Sequence, residues 1–240
     1  MFVSNQSNLS IPIIAISSCL LGERVRYDGR DKKQPRLAEF FQEHCQLVPV
    51  CPEIEMGLGV PRAPIEVVVI KQQLRLREVS EPHRDFTDLA QETAKRVMQN
   101  IGMIDGWVFK ARSPSCGTSD TPIYNHQGEL VKTGQGMFAS HMVTAMPWLP
   151  YANETQLQRD SDLQQFFKRI HILHQMNNWF TTDRSYESLL QLEQSIRPTV
   201  ANIPEVQLEK LHALIQNKEK SIDDRFYQYR QELMHLVSQI

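Results

Sequence analysis

An α/β domain on a parallel-rich, Rossmann-like sheet, followed by an all-helical region, is the fold class this sequence predicts. Three observations carry it. Short apolar runs alternate with amphipathic segments along residues 11–146, the pattern of repeated βα units. Three of those runs lead directly into loops that bear a cysteine. Glycine then disappears after Gly136, and beyond Pro150 the chain turns rich in Gln, Glu, Leu and Lys. The change of composition divides the chain into residues 1–150 and a helical region of unknown role, 151–240.

Taken in order, IPIIAISS (11–18) is a nearly continuous apolar run, as expected of a strand buried on both faces. A polar, glycine-marked loop, LLGERVRYDGRDKKQ, follows it. PRLAEFFQEHC (35–45) opens with proline at a first helical position and carries Leu37, Phe40 and Phe41 at helical spacing. LVPV (47–50) is a second strand, and residues 65–78 form a third or a hairpin, since LRLREV alternates apolar and charged residues. FTDLAQETAKRVMQNI (86–101) is a helix stopped by Gly102, and GWVFKA (106–111) is another buried strand. His126-Gln127-Gly128 turns a polar hairpin over 122–133, and residues 138–146 form a short helix. Beyond residue 155, FFKRIHILHQMNNWF, YESLLQLEQSI, EVQLEKLHALIQ and DDRFYQYRQELMHLVSQI each repeat apolar residues every three or four positions, predicting four helices.

A net charge of −2 over 240 residues gives no global attraction for nucleic acid or an anionic membrane. A local basic patch would still leave tRNA open as a partner. The opening MFVSNQSNLS lacks the charged start and apolar run of a secretory signal, and Ile11–Ile16 is too short to cross a bilayer. The expectation is a cytoplasmic protein with no membrane segment. Four cysteines are few for a disulfide scaffold of this size and favour metal binding or catalysis.

Three of the cysteines share one context. Cys19 follows IPIIAISS, Cys51 follows LVPV, and Cys116 lies just past GWVFKA, each in the loop leaving the carboxyl end of a strand. In open parallel sheets those loops converge on one crevice, so thiols tens of residues apart can meet without a CxxC pair. Cys51 and Cys116 sit in VCPE and SPSCG, loops marked by proline and glycine rather than apolar packing runs. Cys45, at the end of the first helix, reads as a small buried hydrophobe at the opposite end of the sheet. Three thiolates with no fourth would leave a structural zinc site incomplete but give a catalyst an open position.

SSCLLGERVRYDG, VCPEIEMGLGVPRAPIEV and FKARSPSCG together resemble the thiouracil desulfidase (TudS-like) family over residues 11–146. The resemblance implies that Cys19, Cys51 and Cys116 bind a [4Fe-4S] cluster whose fourth iron has no protein ligand. It implies removal of sulfur from a thiolated uracil base, nucleoside or nucleotide, giving the oxo base and sulfide without net redox change. Glu53 of CPE and Ser113 of SPSC take the catalytic positions, with Ser115 the competing serine. Ser115, Arg26 and Asp28 are the expected substrate-binding residues, and Arg26, Arg30 and Lys32 could meet a nucleotide phosphate. His171 and His174, i and i+3 on one helix, can chelate metal but more often face solvent or sit satisfied in a core. A non-catalytic metal-binding module and an electron-transfer module remain alternatives on the same three cysteines. Four-thiolate ligation would favour those two, and an open iron facing a pocket would favour catalysis.

Overall fold

The computed structural model describes residues 11–239. The N-terminal decapeptide, where no secretory signal is read, lies outside the described residues. Four parallel strands form the sheet that organises the molecule: β1 (Ile13–Ser17), β2 (Gln46–Val50), β5 (Gly106–Phe109) and β8 (Tyr151–Asn153). Their order is β2-β1-β5-β8, and every neighbouring pair is parallel. β1 and β5 are almost entirely buried, which is why their sequences are uninterrupted apolar runs. The chain leaves β1 toward β2 on one side and β5 toward β8 on the other. The loops after β1 and β5 therefore part company, and a crevice opens above their carboxyl ends. β8 lies just beyond Pro150, where the composition changes, and closes the sheet's far edge.

A second, mixed sheet has the order β4-β3-β6-β7. It is built from β3 (Ile65–Ile70), β4 (Gln73–Glu78), β6 (Thr121–Tyr124) and β7 (Leu130–Gly134). Two antiparallel hairpins, β3–β4 and β6–β7, are joined by parallel pairing of β3 with β6. Lys71 and Gln72 turn the first hairpin with φ of 49° and 66°, the two left-handed residues of a tight primed turn, although neither is a residue type that favours it. The Asn125 side chain shapes the second turn by accepting the N–H groups of Gln127 and Glu129.

Helix α1 (Pro35–His44) connects β1 to β2 and buries Leu37, Ala38 and Phe41. A single turn, α2 (Pro52–Glu55), follows β2, while α3 (Thr87–Ile101) and α4 (Met137–Ala145) flank β5 in sequence. The C-terminal helices are α5 (Asp160–Thr181), α6 (Tyr186–Ile196), α7 (Glu205–Gln216) and α8 (Ile222–Ser238). Among the described residues, no helix is long and apolar enough to cross a membrane.

The helical region shares a core with the sheet. Trp107 and Phe109 of β5, Phe138 of α4, Trp179 of α5 and Phe226 of α8 belong to one buried apolar cluster. Asp105, just before β5, is buried and accepts hydrogen bonds from Ile13 N–H (2.8 Å), His174 Nδ1 (2.9 Å) and Asn177 Nδ2 (2.8 Å). His174 is thus engaged as a core histidine, and His171 lies edge-on to Phe167 at 4.4 Å. Removing one member of such a buried network costs about 3–5 kcal/mol, so it fastens α5 beneath the sheet.

Candidate active site

All four strands of the parallel sheet deliver side chains to one cleft of about 470 Å³ at their carboxyl ends. β1 leads into Ser17, Ser18 and Cys19; β2 into Cys51 and Glu53; β5 into Lys110 through Cys116; β8 into Glu154 and Thr155. Cys19 occupies a one-turn 3-10 helix, and its carbonyl accepts the Lys32 N–H at 2.9 Å, folding the loop after β1 back over it. Cys51 is the residue before Pro52, which opens α2, so the thiol and the Glu53 carboxylate share one turn. Cys116 sits in a turn ordered by Ser113, whose Oγ accepts the backbone N–H groups of Ser115 (3.2 Å) and Cys116 (3.0 Å).

The loop bearing Cys116 is clamped by the start of α4. Met137 and Ala139, whose N–H groups would be orphaned at a helix terminus, donate to the carbonyls of Pro114 and Ser115 at 2.9 Å. That close approach needs a residue without a side chain at Gly136. A Cβ there would lie 2.5 Å from the Ser115 carbonyl carbon and 2.9 Å from the Cys116 nitrogen. Gly136→Ala is therefore expected to displace the Cys116 turn, costing about 1–3 kcal/mol of stability. Thermal unfolding and iron content after reconstitution should fall together.

Burial dominates the chemistry of the three thiols. It pushes Cys19 up to about 11 and Cys51 up to about 12, with the Glu53 carboxylate adding to both. Cys116, almost fully buried, is raised well above the usual thiol range by burial, then by Glu53 and by the other two thiols. A hydrogen bond from Ser17 pulls the other way on Cys116, as do Lys110 and Arg26 on Cys19. Such thiols become thiolates when a bound cation supplies the missing counter-charge. Three soft donors on one wall suit iron–sulfur chemistry rather than a hard cation. Cys45 is not part of this wall; it is buried at the end of α1 in an apolar cluster with Ile14, Phe41 and Ile170.

Glu53 is 9% exposed, with Oε2 3.5 Å from the Cys51 sulfur and 3.9 Å from Arg62 Nη2. Arg62 also donates to the carbonyls of Val25 (2.9 Å) and Gly59 (2.8 Å), joining the loops after β1 and α2 around the carboxylate. On the far side, Lys110 and Glu154 form a buried ion pair, and Glu154 also accepts the Ala111 N–H at 2.7 Å. Ser17 Oγ accepts the Lys110 N–H at 2.9 Å.

Of the residues expected from the sequence, Cys19, Cys51, Cys116, Glu53, Ser113, Arg26 and Lys32 line the cleft. Ser115 does not: it is fully buried behind the wall, and its Oγ has no hydrogen-bond partner among the described residues. Asp28 also lies outside the lining, where it accepts the Arg30 N–H at 3.1 Å and stands 4.0 Å from Arg26 Nε. Ser17, Arg62, Lys110 and Glu154 are the residues that sequence reasoning did not single out. For Ser17 and Lys110 the signal was present, since each is a polar residue at the carboxyl end of an apolar parallel strand, Ser17 the last of β1 and Lys110 the first past β5.

The part of the chain that builds this cleft is also the part that matches known proteins. Residues 14–154 match the family model for 2-thiouracil desulfurase. "Uncharacterized protein YbbK" of Bacillus subtilis (strain 168) is 30% identical over 138 residues, covering 53% of this chain and 87% of that protein. Among solved structures, a "[4Fe-4S]-dependent thiouracil desulfidase TudS" is similar, with a TM-score of 0.49 and 30% identity. The similarity covers 61% of this chain and 93% of that one. With more than half of its length matched by the family model, the chain belongs to the 2-thiouracil desulfurase family.

Proposed function

We propose that this protein is a [4Fe-4S]-dependent desulfidase that converts a thiolated uracil to the oxo form with release of sulfide and no net redox change. The observation that carries the reading is the convergence of three thiols, and no fourth cysteine, with a buried carboxylate on one cleft. Cys19, Cys51 and Cys116 would hold the cluster. When bound, it supplies a Lewis-acidic iron without a protein thiolate, suited to a soft thiocarbonyl sulfur.

The protein's own residues do the rest. Glu53 takes the proton from the water that attacks the thiocarbonyl carbon. Arg62, fixed by two carbonyls, holds that carboxylate in position. Both lone pairs of Ser113 Oγ are occupied by backbone N–H groups, which leaves its O–H as a donor toward water or substrate. Only three cysteines face the cleft, which favours catalysis over an electron-transfer or purely structural cluster with four thiolates.

Charge supports a phosphorylated substrate. Arg26, Lys32, Arg62, Lys110 and Arg112 face the cleft against two carboxylates, Glu53 and Glu154. Arg62 and Lys110 are paired with those carboxylates and Arg26 stands 4.0 Å from Asp28, so among the described residues Lys32 and Arg112 are the lining cations without an ion pair, left for a ligand. The test is anaerobic reconstitution with iron and sulfide, then sulfide release from thiouracils, thiouridines and their 5′-monophosphates. A charge-assisted phosphate contact is worth about 1.5–3 kcal/mol, so kcat/KM for the monophosphate should exceed that for the nucleoside by about 10–100-fold. No sulfide from any of these compounds would refute the assignment.

A further inference from the structure

We propose that Lys110 is a specificity-determining residue that donates a hydrogen bond to the remaining oxo group of the pyrimidine, so that the site requires an oxygen acceptor on the same ring edge as the sulfur. This rests on the desulfidase reading above and names the substrate edge it recognises.

A lysine ammonium has three N–H donors and no acceptor. Two are spoken for: one goes to Glu154 and one to the Ala111 carbonyl at 2.8 Å. Among the described residues the third has no protein partner, and Lys110 lines the cleft with its side chain only 15% exposed. The ammonium is also fixed. Glu154, 7% exposed in its side chain, holds it with one oxygen and the Ala111 N–H with the other, while Ser17 accepts the Lys110 backbone N–H. A buried pair of this kind costs desolvation, and a nonpolar pair of the same shape would fold as well or better. Its position at the cleft, with one donor unused, is what a binding group requires.

Lys110 lines the same cleft as Cys19, and its backbone N–H is bonded to Ser17, two residues before that thiol. A ligand whose soft sulfur faces the thiols therefore meets a hard donor beside them. In 2-thiouracil the sulfur on C2 is followed by N3–H and then O4. In 4-thiouracil the sulfur on C4 is followed by N3–H and then O2. Both isomers present the same sequence of groups, and both place an oxygen acceptor where Lys110 donates. In 2-thiocytosine N3 carries no hydrogen and that oxygen is an amino group, a donor facing a donor, so the third N–H of Lys110 is left without an acceptor. Sites built to bond a polar group reject analogues lacking it strongly, by up to about 10⁴–10⁵.

The experiment compares 2-thiouracil, 4-thiouracil and 2-thiocytosine on cluster-loaded protein. Sulfide release should favour both thiouracils over 2-thiocytosine by at least about 100-fold in kcat/KM. Equilibrium dialysis with cluster-loaded Glu53→Gln protein should show the same order of affinity without turnover. In the paired variant Lys110→Met/Glu154→Gln, which leaves no buried charge unmatched, the preference should shrink to less than about fivefold, roughly one ordinary polar contact. Equal handling of 2-thiouracil and 2-thiocytosine by the wild-type site overturns the proposal, as does a preference that survives in the paired variant. Should neither thiouracil release sulfide, the desulfidase reading fails, and dialysis still decides the role of Lys110. If the paired variant does not fold, the wild-type comparison and the dialysis decide it alone.

Discussion

Replacing Cys19, Cys51 or Cys116 by alanine is expected to prevent assembly of the proposed iron–sulfur cluster and abolish sulfide release. Each substitution leaves two of the three thiolates proposed to hold the cluster, and no further thiol reaches the cleft to replace the missing sulfur. Cys45 is the remaining cysteine, and it is walled off in the apolar cluster around Phe41 and Ile170. The three positions should behave alike, although their surroundings differ: Cys51 is half-buried, whereas Cys19 and Cys116 are buried. Iron and acid-labile sulfide analysis after anaerobic reconstitution, with visible absorption, measures the loss. Cys45→Ala is the control and should keep both cluster and turnover, with at most about 1–2 kcal/mol of stability lost to a small cavity. A Cys19, Cys51 or Cys116 variant that retained a full cluster would remove that residue from the ligand set.

How much of this site could be read beforehand depended on which signal each residue carried. The thiols were legible because a cysteine in the loop leaving an apolar run has a predictable place, the carboxyl end of a parallel strand. The same rule reaches Ser17, which ends β1, and Lys110, the first residue past β5, but serine and lysine are common enough to pass without notice. Glu154 was harder to find. It follows a strand of three residues, Tyr151–Asn153, whose existence rests on pairing with β5 rather than on periodicity of its own. Arg62 lies in an irregular loop, and its role arises from carbonyls of Val25 and Gly59 that nothing local brings together.

The fold shows the same division. The buried strands and amphipathic helices follow from period and apolar content, and all four C-terminal helices fall where their repeats predict. The split into two sheets does not follow from period. It depends on the β3–β4 hairpin, whose Lys71-Gln72 turn carries none of the Asn or Gly signal for left-handed residues, and on the parallel contact of β3 with β6 fifty residues away. Ser113 and Ser115 separate for a related reason. Two residues apart in a turn clamped by α4, Ser113 lines the cleft and Ser115 is fully buried, an arrangement that rests on tertiary contacts rather than on the local sequence.

Glu53→Gln is expected to keep the cluster and lose activity by about 10²–10⁴-fold, the range for a positioned general base. Glutamine preserves the volume and leaves α2 intact, and the loops around the site stay joined because Arg62 remains anchored on Val25 and Gly59 through Nη1. What disappears is the ability to accept a proton from water beside the thiocarbonyl carbon. Visible absorption and iron content should match the wild type, while kcat falls and substrate binding is largely retained. A fully active Glu53→Gln enzyme would take the carboxylate out of the mechanism. Loss of the cluster in that variant would have a different meaning. Glu53 Oε2 lies 3.5 Å from the Cys51 sulfur, so such a result would make the carboxylate an iron ligand, filling the position reserved for substrate. The two failures are separated by one pair of measurements, iron content and turnover on the same preparation.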